Sequence, residues 1–172
     1  MTAPRLALLD RDGTLNRKAP GDGYVLAPAE LQLLPGAAEA VRALNGAGVA
    51  VAVVTNQRAV ALGLIDDAGL GAVHEELRRQ LARGGARVDA IYHCPHEHGT
   101  CACRKPQPGL LAAAARDLGA TAAEAVMIGD ADSDVEAGRR FGARTIQLTG
   151  GPSRSSSTAP DLCAAVRLAL GA

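Results

Sequence analysis

Short apolar runs alternate with longer segments of helical periodicity along the chain. The run over 49–54 is apolar at every position, which is typical of a central strand covered on both faces. A glycine directly follows each of the first four helical segments, where it favours the end of a helix. The pattern predicts strands over 5–9, 49–54, 90–92, 126–128 and 145–148, and helices over 36–45, 66–83, 108–118, 133–141 and 161–170.

The alternation of strand and helix determines the expected fold class. It indicates an α/β fold, with a Rossmann-like parallel sheet, helices on both faces and right-handed crossovers. A length of 172 residues is in the range of one domain, so we expect a single domain over 1–172. The segments 16–35 and 150–160 are predicted as loops, the second flexible and on the surface.

Composition and charge exclude several classes of partner. Eighteen basic and eighteen acidic residues give a formal net charge of +0, so the chain lacks the basic surface of a non-specific nucleic-acid binder. No stretch approaches the roughly 18 apolar residues of a membrane span, and the apolar stretch before Asp10 is too short for a signal peptide. We expect a cytosolic monomer with reduced cysteines and with neither nucleic-acid nor membrane partners.

Polar residues are concentrated where the predicted strands end. Residues 10–16 (DRDGTLN), 55–57 (TNQ) and 129–134 (GDADSD) follow strands, and 104–106 (RKP) precede a helix. One aspartate after a strand is usually a turn former or a helix N-cap. Because ligands of open parallel sheets bind outside the carboxyl ends of the strands, however, four such motifs together predict a functional site at one edge.

These four motifs, in this order, resemble those of the haloacid dehalogenase-like phosphatases, and the resemblance covers nearly the whole chain. It implies that the protein is a phosphoric monoester hydrolase that works through an aspartyl-phosphate intermediate. Asp10 is the implied nucleophile, and Asp12 the implied general acid and then base. Thr55 and Lys105 are the implied hydrogen-bond donors to the transferring phosphoryl group.

A magnesium site follows from the same resemblance. Because a carboxylate and a phosphate repel each other, a divalent cation is needed between them. The resemblance implies that Asp10, the backbone carbonyl of Asp12 and Asp130 hold one Mg²⁺. Asp134 has two interpretations: it orients the catalytic lysine or a metal-bound water, or it is a first-turn acid that the helix dipole favours. Asp132 is interpreted only as a first-turn acid that the helix dipole favours.

A second metal site is predicted in the loop over 94–103. Cys94 and His96 form a C-x-H pair, and Cys101 and Cys103 form a C-x-C pair. Three thiols and one imidazole suit a closed, structural Zn²⁺ site, in which His98 is the alternative nitrogen ligand. Free surface thiols are the alternative interpretation, whereas a nucleic-acid-binding zinc ribbon would require C-x₂-C spacings and basic surroundings.

The predicted zinc loop narrows the resemblance to a zinc-containing branch without a cap domain. This branch includes heptose-1,7-bisphosphate 7-phosphatases and histidinol-phosphate phosphatases. The stretches GYV (23–25), IYHCPH (91–96) and RKPQPG (104–109) resemble the first type, whereas the short loop of four residues between His96 and Cys101 resembles the second. The resemblance therefore implies a phosphorylated-sugar substrate, D-glycero-D-manno-heptose 1,7-bisphosphate, with histidinol phosphate or another small phosphorylated metabolite as the alternative.

Without a cap, the walls of the pocket must come from short segments. We expect these to be 16–35, 56–64 and the zinc loop, with Asn56 and Gln57 contacting the substrate. Arg104 is either an exposed arginine or a cation for a second phosphate, which would repel the amine of histidinol phosphate. A phosphotransferase and a non-catalytic zinc-stabilised module are the competing classes; the missing cap and the intact acids favour hydrolysis.

Overall fold

A parallel six-stranded sheet lies at the centre of the fold in the computed structural model, which describes residues 3–21, 23–149, 155 and 157–171. The strand order is β3-β2-β1-β4-β5-β6, and every pair of neighbours is parallel. The strands are β1 (Leu6–Leu9), β2 (Ala50–Asn56), β3 (Ala90–Cys94), β4 (Ala125–Gly129), β5 (Arg144–Leu148) and β6 (Thr158–Ala159).

Helices cover both faces of this sheet, as the sequence predicts. Ala7 and Leu9 of the first strand face α1, α2 and α5, whereas Leu6 and Leu8 face α3 and α4, because successive strand residues point to opposite sides. Within the described ranges, no helix is both long and apolar enough to cross a membrane. The helices are α1 (Ala37–Gly46), α2 (Asp67–Arg83), α3 (Gly109–Asp117), α4 (Asp132–Phe141) and α5 (Leu162–Leu170).

The strand order places a crevice beside β1. After β1 the chain runs outward to β2 and β3, then returns to β4 on the other side of β1. This reversal is the switch point at which open α/β sheets bind ligands. Asp10 follows β1 and Asp130 follows β4, so the two acids lie at the two sides of the crevice.

Two of the predicted strands end two residues earlier than the strands in the structure. Strand β2 continues through Thr55 and Asn56, and β3 through His93 and Cys94, because the ladder pairs Thr55 with His93 and Asn56 with Cys94. The backbone pairing therefore extends past the apolar positions on which the prediction was based. His93 lies one residue before the end of β3.

The prediction of a loop over 150–160 is wrong near its carboxyl-terminal end. Residues 150–154 and 156 of this prediction lie outside the described residues. Thr158 and Ala159 form the edge strand β6, which pairs with Gln147 and Leu148 of β5. A two-residue strand has no periodicity that a sequence pattern could reveal.

Helix α4 packs very closely on the sheet at Gly138. A Cβ atom at this position would lie 2.5 Å from Cγ2 of Thr145 and 3.0 Å from Cβ of Met127. The absence of a side chain lets the helix approach β4 and β5. Asp134, which lies about one turn earlier on the same helix, is thereby brought to the edge of the sheet where the strands end.

We predict that Gly138→Ala lowers the free energy of unfolding by about 1–3 kcal/mol, because overpacking forces the helix away from the sheet. The matched control is Gly71→Ala on α2, where an added Cβ meets nothing within 4 Å. The control should gain up to about 1 kcal/mol from helix propensity. Urea titration of both variants is the measurement, and equal changes in the two would contradict the close packing.

Candidate active site and metal-binding loop

A buried lysine ammonium connects the two acids that are central to the site. Nζ of Lys105 lies 2.7 Å from Oδ1 of Asp10 and 2.6 Å from Oδ1 of Asp134. It also donates to the backbone carbonyl of Val54 at 2.8 Å. The lysine side chain is 2% exposed, so its three donors are matched by three protein acceptors rather than by water.

Electrostatics keeps this lysine charged. Burial alone would lower the pKa of Lys105, but the carboxylates of Asp10 and Asp134 raise it above the ordinary value. Burial raises the pKa of Asp10 to about 6, and repulsion by Asp134 adds to this rise, whereas Lys105 opposes it. The lysine therefore favours the ionised, nucleophilic form of the Asp10 carboxylate.

Asp134 fills both roles that the sequence left open. One carboxylate oxygen binds Lys105, and the other accepts a hydrogen bond from the backbone amide of Ala131 at 3.0 Å, at the start of α4. A Cβ atom on Gly129 would collide with this carboxylate, so the glycine provides the space that Asp134 occupies. The first-turn acid is thus also the side chain that orients the lysine.

Three side chains hold the carboxylate of Asp12. Nη2 of Arg11 lies 3.1 Å from Oδ1 and 3.0 Å from Oδ2. Asn16 donates to Oδ1 and Gln57 donates to Oδ2, each at 2.9 Å. The Asp12 side chain remains 29% exposed, so its orientation is restrained while it stays accessible from the cavity.

The turn that follows Asp12 requires glycine. Gly13 has φ +92°, a conformation that residues with a side chain rarely adopt. A Cβ atom there would also lie 2.6 Å from Oδ2 of Asp130. This turn allows the first motif to approach the acid that follows β4.

The structure brings two of the three predicted magnesium ligands, Asp10 and Asp130, together with Asp134. Carboxylate oxygens of Asp10, Asp130 and Asp134 lie within 4.8 Å of one another. Oδ1 of Asp130 is buried and has no hydrogen-bond partner among the described residues, while Oδ2 lies 2.5 Å from Nζ of Lys18. Carboxylates with one unpaired buried oxygen fit a Mg²⁺ ion, which prefers oxygen ligands.

The TNQ motif supports the two segments that carry Asp12 and Lys105. The amide of Asn56 binds both the backbone carbonyl and the backbone N–H of Lys105, at 3.0 Å each. Nε2 of Gln57 donates to Asp12 and, at 2.9 Å, to Oγ1 of Thr55. Thr55 accepts this bond, so its own hydroxyl hydrogen is available to a phosphoryl oxygen. Asn56 and Gln57, predicted as substrate contacts, therefore hold Lys105 and Asp12.

Two adjoining cavities open at this site, and two of the three predicted wall segments line them. One, of about 540 Å³, is lined by Asp12, Lys18, Ala19, Gly21, Gly23, Tyr24, Val25, Asn56 and Gln57. The other, of about 440 Å³, contains the acids and is lined by Asp10, Asp12, Lys18, Thr55, Asn56, Lys105, Asp130, Ala131, Ser133 and Asp134. The zinc loop contributes no described residue to either wall.

The four predicted zinc ligands form one cluster. The Sγ atoms of Cys94, Cys101 and Cys103 are 3.2–3.5 Å apart, and Nδ1 of His96 lies 3.3 Å from Sγ of Cys103. The backbone N–H of Arg104 donates to Sγ of Cys101 at 3.3 Å, which favours the thiolate. Three sulfur atoms and one nitrogen are a donor set that fits tetrahedral Zn²⁺.

Arg104 lies against the zinc loop rather than in the cavity walls. Nη1 donates to the backbone carbonyl of His96 at 3.3 Å, and Nη2 lies 3.2 Å from Nε2 of His98. The structure thus places His96 with the thiols and His98 with the arginine. Arg104 is predicted to bind substrate, but it is absent from the described linings of both cavities.

Comparisons with known proteins agree on the family. Residues 102–166 match a HAD-hydrolase-like family model. The D-glycero-beta-D-manno-heptose-1,7-bisphosphate 7-phosphatase of Bordetella bronchiseptica is 40% identical over 139 residues, which are 80% of this chain and 76% of that protein. The D-glycero-alpha-D-manno-heptose-1,7-bisphosphate 7-phosphatase of Mycobacterium tuberculosis is 39% identical over 130 residues, covering 74% and 68%.

The chain belongs to the haloacid dehalogenase-like phosphatases. The crystal structure of the D,D-heptose 1,7-bisphosphate phosphatase from B. bronchiseptica, complexed with magnesium and phosphate, superimposes with a TM-score of 0.88 at 35% identity. The match covers 97% of this chain and 98% of that one. As predicted for a phosphatase without a cap, the described segment between β1 and β2 contains one short 3-10 helix, Pro28–Glu30, and α1.

A buried cluster of Arg11, His74 and His93 lies beside the first motif of this phosphatase. It was not predicted from the sequence. Arg11 is completely buried, and His74 is 8% exposed with its ring 5.7 Å from that of His93. Burial, the charge of Arg11 and His93 lower the pKa of His74 to about 3. The helical spacing of the sequence could have revealed that His74 is buried, because His74 lies between Leu70 and Leu77 on the buried face of α2.

We predict that His74 makes the phosphatase sensitive to acid. The pKa of His74 is about 3 in the folded chain, whereas its ordinary value is 6.5. Below pH 6.5 the unfolded chain therefore binds a proton that the folded chain excludes. The free energy of unfolding falls as a result. His74→Gln removes this contribution. Between about pH 5.5 and 4, wild type should lose about 1.4 kcal/mol more per pH unit than the variant. Parallel pH dependences in urea titrations would contradict the neutral buried ring.

Proposed function

We propose that this chain hydrolyses the phosphate at C7 of a D-glycero-D-manno-heptose 1,7-bisphosphate in the presence of Mg²⁺. The observation that carries the chemistry is the buried Lys105 between Asp10 and Asp134, beside an acid with one unpaired buried oxygen, Asp130. The names of relatives that are 39% and 40% identical support the substrate. They include both anomers, so the anomer is a matter for experiment.

The reaction proceeds in two steps. A carboxylate oxygen of Asp10 attacks phosphorus, the bond from phosphorus to the sugar oxygen breaks, and Asp12 gives its proton to that oxygen. Asp12 then takes a proton from a water molecule, which attacks phosphorus. Inorganic phosphate leaves, and the carboxylate of Asp10 and the protonated carboxyl of Asp12 are regenerated.

Two side chains act on the transferring group. The three hydrogens of the Lys105 ammonium already have protein partners, so Lys105 acts through its positive charge, in a buried site where charges interact more strongly than in water. The hydroxyl of Thr55 points its free hydrogen at a phosphoryl oxygen, because its oxygen already accepts from Gln57. Both side chains line the cavity that contains Asp10.

Asp10, Asp130 and the backbone carbonyl of Asp12 would hold the Mg²⁺. When bound, the cation offsets the repulsion between the substrate phosphate and the carboxylates. The unpaired oxygen of Asp130 supports this set, as does the magnesium in the related B. bronchiseptica structure.

The second phosphate of the substrate requires a further cation. Arg104 precedes the catalytic Lys105 directly, and its guanidinium is oriented by the His96 carbonyl and by His98. We propose that this half-buried side chain turns from His96 and His98 toward the second phosphate when the substrate binds. Histidinol phosphate is the second candidate substrate, favoured by the short loop between His96 and Cys101.

Zinc in the cluster of Cys94, His96, Cys101 and Cys103 would have a structural role. With four protein ligands, no coordination position remains for a reacting water. Lys105 lies two residues after Cys103, so the metal would fix the loop that carries the catalytic lysine.

Three thiols that must stay reduced suit the cytosol, and we propose that the protein is located there. We also propose that it is a monomer with a single domain.

Asp10→Asn should reduce turnover by more than about 10³-fold without unfolding the protein, because an amide cannot form the acyl phosphate. Asp12→Asn should lower kcat/KM for a sugar phosphate about 10²–10⁴-fold, and less for p-nitrophenyl phosphate, whose leaving group needs little protonation. Phosphate release with each substrate is the measurement. Activity of Asp10→Asn within tenfold of wild type would rule out this mechanism.

The zinc proposal predicts about one tightly bound zinc per chain, which remains after removal of exchangeable Mg²⁺. Cys101→Ser should deplete zinc and lower the melting temperature. Cys163→Ser is the control, because this cysteine lies on α5 and donates to the carbonyl of Gly36, outside the cluster. Elemental analysis and thermal melting test this, and a zinc-free wild-type protein of equal stability would contradict it.

The substrate proposal predicts a higher kcat/KM for heptose 1,7-bisphosphate, as the α or β anomer, than for histidinol phosphate. Like charges placed together cost several kcal/mol, and each 1.4 kcal/mol is about tenfold. Arg104→Ala should therefore lower kcat/KM for the bisphosphate more than for a monophosphate. A preference for histidinol phosphate, or an unchanged Arg104→Ala enzyme, would overturn the assignment while leaving the hydrolytic mechanism intact.

A further inference from the structure

Arg11 has an unusual environment for a charged residue. Its side chain is 0% exposed and is one of the largest fully buried side chains in the described part of the chain. Of the three guanidinium nitrogens, Nη2 contacts the carboxylate of Asp12 at 3.0 and 3.1 Å. Nε and Nη1 have no hydrogen-bond partner among the residues that the structure describes.

The neighbouring His74 contributes no compensating negative charge to this guanidinium. His74 is buried, its Nε2 has no described partner, and its ring lies 5.7 Å from that of His93. Burial and the charge of Arg11 lower the pKa of His74 to about 3, so this ring is neutral at physiological pH. The interaction with Asp12 is thus the specific contact that Arg11 makes through its side chain.

Stability does not account for an arginine at this position. Burying a cation is unfavourable unless its donors are paired, and two of the three nitrogens here are not. An apolar side chain of similar length would fill the same space without this cost. The benefit of Arg11 must therefore come from what it does to Asp12.

We propose that Arg11 is a positioning residue, whose buried guanidinium holds the carboxyl group of Asp12 from the protein interior in the orientation from which the protonated form gives its proton to the leaving group. Asn16 and Gln57 each contact one oxygen of Asp12 through a neutral amide. Arg11 contacts both oxygens and adds a charge-assisted bond, which is stronger and more directional. This inference rests on the general-acid role given to Asp12 above.

The experiment compares Arg11→Met and Arg11→Lys with a matched control, Arg116→Met. Arg116 also binds the aspartate that follows it, Asp117, at 2.9 Å, but on the surface at the end of α3. For each variant, kcat/KM is measured with a sugar phosphate and with p-nitrophenyl phosphate. The inhibition constant of inorganic phosphate and the melting temperature are measured in parallel.

Arg11→Met should lower kcat/KM for the sugar phosphate about 10–100-fold, the effect of a misplaced catalytic group. The loss with p-nitrophenyl phosphate should be less than about threefold, since that leaving group needs little protonation. Inhibition by phosphate should be unchanged, and the melting temperature unchanged or higher. Arg11→Lys, which keeps the charge but not the position of Nη2, should lie between wild type and Arg11→Met, and Arg116→Met should match wild type.

Equal losses with the two substrates, a lower melting temperature, or full activity of Arg11→Met would each overturn the proposal. If Arg11→Met does not fold, the arginine serves stability, and the proposal is overturned as well. Asp12→Asn in the same assay separates this inference from the mechanism beneath it. If Asp12→Asn also lacks the leaving-group dependence, the general-acid role fails; if it shows the dependence and the Arg11 variants do not, only the Arg11 inference fails.

Discussion

The site depends on one buried ion cluster, in which the ammonium of Lys105 binds Asp10, Asp134 and the carbonyl of Val54. Each partner belongs to a different segment, because Asp10 follows β1, Val54 lies on β2 and Asp134 lies in the first turn of α4. Without the ammonium, two buried carboxylates would repel each other, and burial would favour the protonated form of Asp10. The same cation therefore assembles three elements and favours the ionised form of Asp10.

The rest of the fold brings these segments close enough to share the ammonium. Gly129 leaves room for the Asp134 carboxylate, and Gly138 lets α4 approach the sheet. Asn56 binds the backbone of Lys105 from β2, and the proposed zinc would fix the same loop from the other side. Arg11 is the opposite case, because a buried cation with unpaired donors costs stability, and we propose that it does so in return for an oriented Asp12.

The sequence was sufficient for the features that depend on local pattern. Alternating apolar runs predicted the parallel sheet, and acids placed after strands predicted that Asp10 and Asp130 would meet. Individual side-chain hydrogen bonds between distant segments could not be predicted: the amide of Asn56 meets Lys105 across 49 positions, and that of Gln57 meets Asp12 across 45. Nor does any periodicity mark the two residues of β6, whose pairing is with the backbone of β5.

The central claim is that Lys105 prepares Asp10 to accept the phosphoryl group. Rapid acid quench of the first turnover, followed by peptide mass spectrometry with fragmentation, tests it most directly. We predict a phosphoryl group on Asp10 of the wild-type enzyme and much less in Lys105→Met. Phosphate release without a phosphorylated Asp10, or a phosphoryl group on Asp12 or Asp130 instead, would contradict the account.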